Sequence, residues 1–273
     1  MSSNLNSYRT RRDAFLSELT SVLSADERFV AGWLTGSLGK NEADSVSDID
    51  LSLVVLEPHS KRLCMRENQV GAKTSLERYS LFTQFGKPAL IHENNNNAPE
   101  GGTMTFVLYK NSALMVDWVL IPQSKAKRPS QSMLLFDKVG ILVSSPPEPD
   151  ELEESKKSVA EEWAFFWMMM AITIKYIIRE DGVFVNQWFE NLYKIKQDIE
   201  RRLNTEPWKY HRGSISQLQL TREKQIESIR DLCDQMLELK IKVSEFMGSE
   251  PLTPETEIKS LLSLGSNRQI ESL

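Results

Sequence analysis

Between Thr35 and Val55 the chain reads TGSLGKNEADSVSDIDLSLVV, and this stretch ends with Asp48 and Asp50 interleaved with Ile49, Leu51, Leu53 and Val55. Alternation at a period of two sets both carboxylates on one face of a strand and the aliphatic residues on the other, with the two aspartates about 6.6 Å apart along it. Like charges held this way repel, by ~4 kcal/mol for a separation of about 4 Å at an effective dielectric of about 20. A divalent cation removes that penalty and turns the pair into a site. The stretch contains no His or Cys, and hard carboxylate oxygens favour Mg²⁺ or Mn²⁺ over zinc.

Upstream lies a second apolar run, Phe29-Val-Ala-Gly-Trp-Leu34, followed after Thr35 by Gly36 and Ser37. Glycine lets backbone approach a ligand closely, while exposed N–H groups and a serine hydroxyl offer donors to phosphate oxygens. A strand, a Gly-Ser turn, ten residues and then Asp-Ile-Asp on a second strand therefore combine a phosphate-donor turn with metal-binding carboxylates.

This arrangement, carried by Gly36, Ser37, Asp48, Ile49 and Asp50, resembles the signature of the polymerase β-type nucleotidyltransferase superfamily. The resemblance implies a mixed sheet with flanking helices. It also implies Mg²⁺ or Mn²⁺ on Asp48 and Asp50, and a nucleoside triphosphate, ATP or another, whose phosphates meet Gly36 and Ser37. Asp117, an acid within the aliphatic strand ALMVDWVLI, needs either a hydrogen-bond donor or a cation, because acids are rarely buried without a partner. Its place after the Gly-Ser and Asp-x-Asp elements matches the superfamily's third carboxylate. In polymerase-like members that position is a metal ligand, and in several antibiotic-modifying relatives it is the general base toward the acceptor hydroxyl. Both roles stay open for Asp117.

The chain has 273 residues, 40% of them hydrophobic and 26% charged, which suits a globular protein with a sizeable core. Its net charge of -5 argues against a nucleic-acid backbone as main partner, since such proteins carry a basic face. A small-molecule acceptor is the expectation. Cys64 and Cys233, the two cysteines, are far apart and lack metal-ligand spacing. Without an apolar signal core at the N-terminus, and with the longest apolar run, Trp163 to Ile178, too short to span a bilayer and interrupted by Lys175, a cytoplasmic protein is expected.

The periodicity predicts a helix over 8–24, with Phe15, Leu16, Leu19, Val22 and Leu23 on its apolar face. Strands are expected at about 29–35, 48–56, 103–110 and 113–121, with Pro58 and His59 closing the second. Between 60 and 87 the pattern loosens, and Arg62, Arg66, Lys73, Arg78 and Lys87 are either a solvated face or a source of positive charge for the triphosphate. His92 opens a polar run, read as an exposed hairpin loop. Residues 133–143 read as strand, turn and strand, with Asp137 explained by turn chemistry and left outside the site. The Leu-Phe-Asp-Lys-Val-Gly turn at 135–140 resembles, more weakly, the segment closing the catalytic domain of bacterial aminoglycoside and lincosamide nucleotidyltransferases.

Prolines and acids at 144–157 mark a boundary, giving a nucleotidyltransferase domain over 1–145 and an all-α helical bundle over 146–273. Helices are expected at about 150–179, 185–204 and 220–247, with a last one after Thr253-Pro254. The first resembles the helix of aminoglycoside adenylyltransferases that faces the acceptor drug, which implies substrate-binding roles for Glu161, Glu162 and Asp181. The alternative is a solvated charge cluster. Trp208, Tyr210 and His211 mark an interhelical loop. The resemblance implies transfer of a nucleoside monophosphate such as AMP to a hydroxyl of a small molecule, expected between the domains, and points to an aminoglycoside or lincosamide as the candidate, with oligomeric state open. Two alternatives are a toxin or regulator modifying a protein or tRNA, and a non-catalytic nucleotide-binding protein of the same fold. Asp50→Asn retains side-chain shape but removes charge, so steady-state turnover is expected to fall by orders of magnitude in a variant that still folds.

Overall fold

The computed structural model describes residues 3–64, 74–94, 97–144, 158–205 and 220–266. They fall into two compact units that meet along the chain between residues 144 and 158. The first is built on a six-stranded mixed sheet and the second is helical.

In the first unit, helix α1 (Ser3–Ala25) leads into β1 (Phe29–Leu34), the four-residue helix α2 (Gly36–Gly39) and β2 (Ile49–Val55). Helices α3 (Glu57–Leu63) and α4 (Leu76–Thr83) precede β3 (Pro88–Glu93), β4 (Thr103–Tyr109) and β5 (Met115–Pro122). Strand β7 (Met133–Asp137) completes the sheet, and the short β6 (Arg128–Pro129) and β8 (Val143–Ser144) pair separately. The sheet order is β3-β4-β5-β2-β1-β7. Its one parallel pair among the described strands is β2 with β5, at the centre.

Burial explains the pattern. Ile49, Leu51, Leu53 and Val55 of β2 share one face with Val116, Trp118 and Leu120 of β5, and pack with Leu19 and Leu23 of α1 and Leu81 and Phe82 of α4. Val54, Ala31, Trp33 and Ile121 form a smaller cluster. Asp50 is the one half-buried position of an otherwise buried β2, at the end nearest Gly36, and Asp48, also half-buried, lies just ahead of the strand.

Three expectations change. Pro58 and His59 do not merely close β2; Pro58 sits in the first turn of α3, where its missing N–H is harmless. His92 is no loop residue: it is buried in β3 opposite Phe106, because Pro-Ala-Leu-Ile-His-Glu forms a strand whose polar end is covered. Arg78 is not a solvated cation either. Its buried guanidinium donates from Nε to Glu93 Oε1 at 3.2 Å and from Nη1 to the Leu63 carbonyl at 3.3 Å. Glu93 also accepts from the hydroxyls of Thr105, at 3.0 Å, and Thr74. Arg62 and Lys87 are exposed, while Arg66 and Lys73 lie outside the described residues.

The second unit comprises α5 (Val159–Arg179), α6 (Gly182–Leu203), α7 (Arg222–Met247) and α8 (Glu255–Ser266). The apolar run Trp163–Ile178 is the buried body of α5, with Trp163, Phe166, Trp167 and Met170 in the core. No helix among the described residues is long and apolar enough to cross a membrane. Cys64 and Cys233 are both buried and unpaired, and burial pushes their thiols up to about 12 and about 11 respectively. The proline-rich boundary beyond Ser144, and Trp208, Tyr210 and His211, lie outside the described residues.

Removing one member of a buried ion pair leaves the other charge uncompensated. Arg78→Met is therefore expected to destabilise the first unit by about 3–5 kcal/mol, whereas Arg78→Met combined with Glu93→Leu costs much less. Urea midpoints followed by circular dichroism measure the difference.

Candidate metal and phosphate site

The centre of the site is set by backbone pairing. Asp50 on β2 stands directly beside Asp117 on β5 in the parallel ladder, between the pairs Ile49–Val116 and Leu51–Trp118. Side chains at paired positions of adjacent strands project to the same face, so the ladder alone brings these two carboxylates together. Asp48 lies two residues before Asp50 and just ahead of the strand, so it joins from the same side.

Asp48, Asp50 and Asp117 each present an oxygen, and these three oxygens lie within 4.8 Å of one another. All three side chains are half-buried. Two fully charged carboxylates at that distance repel by about 3.5 kcal/mol at an effective dielectric of about 20, before water and counter-ions reduce it. The donor set is all carboxylate oxygen, which fits Mg²⁺ or Mn²⁺. Ligands on one octahedral ion are separated by about 3 to 4 Å for metal–oxygen bonds of about 2.1 Å. A spread of up to 4.8 Å closes on a single ion with small side-chain rotations, and it also suits two ions about 3.5–4 Å apart.

Gly36 forms the wall beside Asp50. Its φ is +56°, and a Cβ there would fall 2.0 Å from Asp50 Oδ2. No side chain other than hydrogen is compatible with both that backbone and that carboxylate position. The turn is fastened by Thr35 N donating to the Asp50 carbonyl at 3.0 Å and Gly39 N donating to the Thr35 carbonyl at 2.8 Å. Gly36 and Ser37 occupy the first turn of α2, where backbone N–H groups have no acceptor within the helix. The sequence-predicted phosphate donors thus adjoin the carboxylates.

The loop that delivers Asp48 is closed on itself. Asp44 Oδ1 accepts from Val46 N at 3.0 Å and Ser47 Oγ at 2.9 Å, and Asp44 N donates to Ser47 Oγ at 3.0 Å. Two residues of α1 reach the site's surroundings, and the sequence reading gave them no role. Tyr8 Oη donates to the Ala113 carbonyl at 3.0 Å, and Arg12 Nη1 donates to the carbonyls of Asp44 and Ser47 at 2.6 and 3.3 Å. Burial, reinforced by the nearby Asp48 carboxylate, pushes the Tyr8 phenol far above its ordinary range, so it stays a neutral donor. A signal for them existed: Tyr8 and Arg12 fall on the buried stripe of α1 with Leu5, Leu19 and Leu23, at helical spacing.

Asp137 is a turn residue. Burial raises its pKa, but N–H donors from Val139, Ile141 and Gly140 outweigh this and hold the carboxyl below its ordinary range. In the second unit, Glu161 closes a capping box with Ser158, and Asp181 caps α6 by accepting from Phe184 N at 3.1 Å. Glu162 is buried and accepts from Arg202 Nη1 at 2.8 Å. Each of these acids therefore has a helix-building or ion-pairing task within its own unit.

No protein-family model and no curated protein matches the chain. Among solved structures it is similar to a chain of the E. coli MS115-1 CdnC:HORMA-deltaN complex, at 11% identity over 97% of this chain and 83% of that one, with a TM-score of 0.27. Neither fold nor function transfers at that level, and the assignment of the site rests on its own geometry.

An ion that binds only the folded state raises its stability, by about 2.7 kcal/mol at a hundredfold excess over its dissociation constant. Mn²⁺ is expected to raise the thermal midpoint of the wild type by several degrees and to leave Asp50→Asn and Gly36→Ala almost unmoved. Without metal, Asp50→Asn is expected to melt slightly above the wild type, because a repulsive charge is gone. Differential scanning fluorimetry reads all three comparisons.

Proposed function

We propose that the protein is a metal-dependent nucleotidyltransferase that moves a nucleoside monophosphate, such as AMP, from a nucleoside triphosphate to a hydroxyl of a small-molecule acceptor. The observation that carries this reading is the convergence of Asp48, Asp50 and Asp117 within 4.8 Å, against the Gly36-Ser37 turn. When bound, one or two Mg²⁺ or Mn²⁺ ions supply Lewis-acid polarisation of the triphosphate and offset charge at the transferring phosphoryl group.

Asp48 and Asp50 serve as the holding carboxylates, and Gly36 and Ser37 donate to phosphate oxygens. The acceptor oxygen forms a bond to the α-phosphorus, the bond from that phosphorus to the bridging oxygen breaks, and pyrophosphate leaves. Asp117 either completes the ligand set or takes the proton of the attacking hydroxyl, and both uses require its ionised form at the reacting oxygen. The net charge of -5 supports a small molecule over a nucleic acid as acceptor. An aminoglycoside or lincosamide is the first class to test, on the resemblance of residues 135–140 to the antibiotic-modifying enzymes.

The test is pyrophosphate release by the purified protein with Mg²⁺, each of the four common nucleoside triphosphates and a panel of aminoglycosides and lincosamides. Acceptor-dependent release that disappears in Asp50→Asn is the expected result. Acceptor-dependent release that persists in Asp50→Asn would contradict the carboxylate assignment. Silence with every antibiotic would remove that acceptor class.

A further inference from the structure

Asp50 and Asp117 are fixed by the ladder they share, but Asp48 stands outside it: the pairing of β2 with β5 begins at Ile49 and Val116. Its position is inherited from the turn at 44–47. That turn hangs on Arg12, whose Nη1 donates to the Asp44 carbonyl at 2.6 Å and to the carbonyl of Ser47, the residue before Asp48, at 3.3 Å. One helical turn earlier, Tyr8 Oη donates at 3.0 Å to the carbonyl of Ala113, in the loop that enters β5 and four residues before Asp117. Ala113 has a φ of +53°, a conformation unfavourable for a residue with a Cβ, and the Tyr8 hydroxyl adds an anchor from α1 to a turn that its own Ala113 N to Tyr109 carbonyl hydrogen bond, at 3.1 Å, closes locally.

We infer that Tyr8 and Arg12 are positioning residues: a rigid pair on one face of α1 that ties the loop before Asp48 to the loop before Asp117 and so sets the spacing of the metal site. The inference rests on the metal site of the proposed function. The charge of Arg12 is matched by Asp13, which accepts from its Nε at 3.0 Å and its Nη2 at 2.8 Å. Its Nη1 therefore supplies geometry to the two carbonyls while the compensating charge comes from within α1. Both side chains are buried, Arg12 with 3% and Tyr8 with 1% of its surface exposed, so their hydrogen bonds do not compete with solvent. Residues four apart on a helix have Cβ atoms about 6 Å apart, and helix rigidity transmits that spacing to the two loops.

The experiment is Mn²⁺ binding to the full chain without nucleotide, followed by electron paramagnetic resonance of the free ion. Arg12→Gln is expected to weaken binding by about 10- to 100-fold, the range for residues that orient metal ligands. Tyr8→Phe, which deletes one hydroxyl, is expected to weaken it less but measurably. Arg12→Lys keeps the charge but not the reach to two carbonyls, and it should follow Arg12→Gln; it remains informative if the glutamine variant fails to fold. In turnover, these variants should raise the metal concentration needed for half-maximal rate, with kcat largely recovered at saturating Mn²⁺. Folded Arg12→Lys and Tyr8→Phe proteins that bind Mn²⁺ as the wild type does would overturn the inference. So would a wild type that binds no Mn²⁺, which would remove the metal site as well. Weakened Mn²⁺ binding in the variants, together with a wild type that releases no pyrophosphate with any acceptor, would uphold the positioning pair while overturning the proposed reaction.

Discussion

Parallel pairing of β2 with β5 places Asp50 beside Asp117 at the centre of the sheet, and the organisation of the first unit answers to the charge this collects. Adjacent strands lie about 4.8 Å apart, so two carboxylates at paired positions cannot avoid one another by backbone movement without breaking the ladder. Asp48 adds a third charge at the same end. An arrangement that repels itself persists because the aliphatic face of the same strands is deeply buried against α1 and α4, and hydrophobic burial of several large side chains outweighs a few kcal/mol of repulsion. Order in the sheet thus holds three carboxylates together at one end of its central strands.

The surroundings fix the geometry of this end of the sheet. Gly36 fits because nothing larger can stand beside the Asp50 carboxylate. The buried Arg78–Glu93 pair, with Thr74 and Thr105, ties α4 to the β3 and β4 side of the sheet. Tyr8 and Arg12 couple α1 to the two loops that enter β2 and β5. The Tyr8 and Arg12 contacts end on backbone carbonyls, and the Arg78–Glu93 network links side chains, so the elements around the three aspartates are fastened by both kinds of contact.

The site was more legible in the sequence than its support was. Gly36, Ser37, Asp48 and Asp50 lie within fifteen residues of each other, where spacing and alternation fix geometry locally. Asp117, an acid in an aliphatic strand, demanded a donor or a cation, and only the resemblance to the superfamily chose between them, whereas Asp137 could be set aside because its turn supplies donors. What escaped depended on distant pairing. His92 and Glu93 looked like the start of a polar loop, yet β4 covers them and Arg78 meets Glu93 from another element. Arg12 drew no role from the sequence because its carbonyl partners lie more than thirty residues away. Glu161 and Asp181, named from the resemblance as substrate-binding candidates, also cap helices within their own unit, a task set by near neighbours in the sequence. A polar side chain reads as solvated unless its partner is nearby in the sequence, and buried networks are assembled from partners that are not.

The most direct test is crystallographic: an anomalous difference map from crystals grown with Mn²⁺ and a nucleoside triphosphate analogue that cannot be cleaved at the α-phosphorus. The metal-site assignment predicts one or two manganese peaks about 2.1–2.2 Å from oxygens of Asp48, Asp50 and Asp117, with the triphosphate beside Gly36 and Ser37. A well-ordered triphosphate bound elsewhere, with no manganese at the three carboxylates, would contradict it.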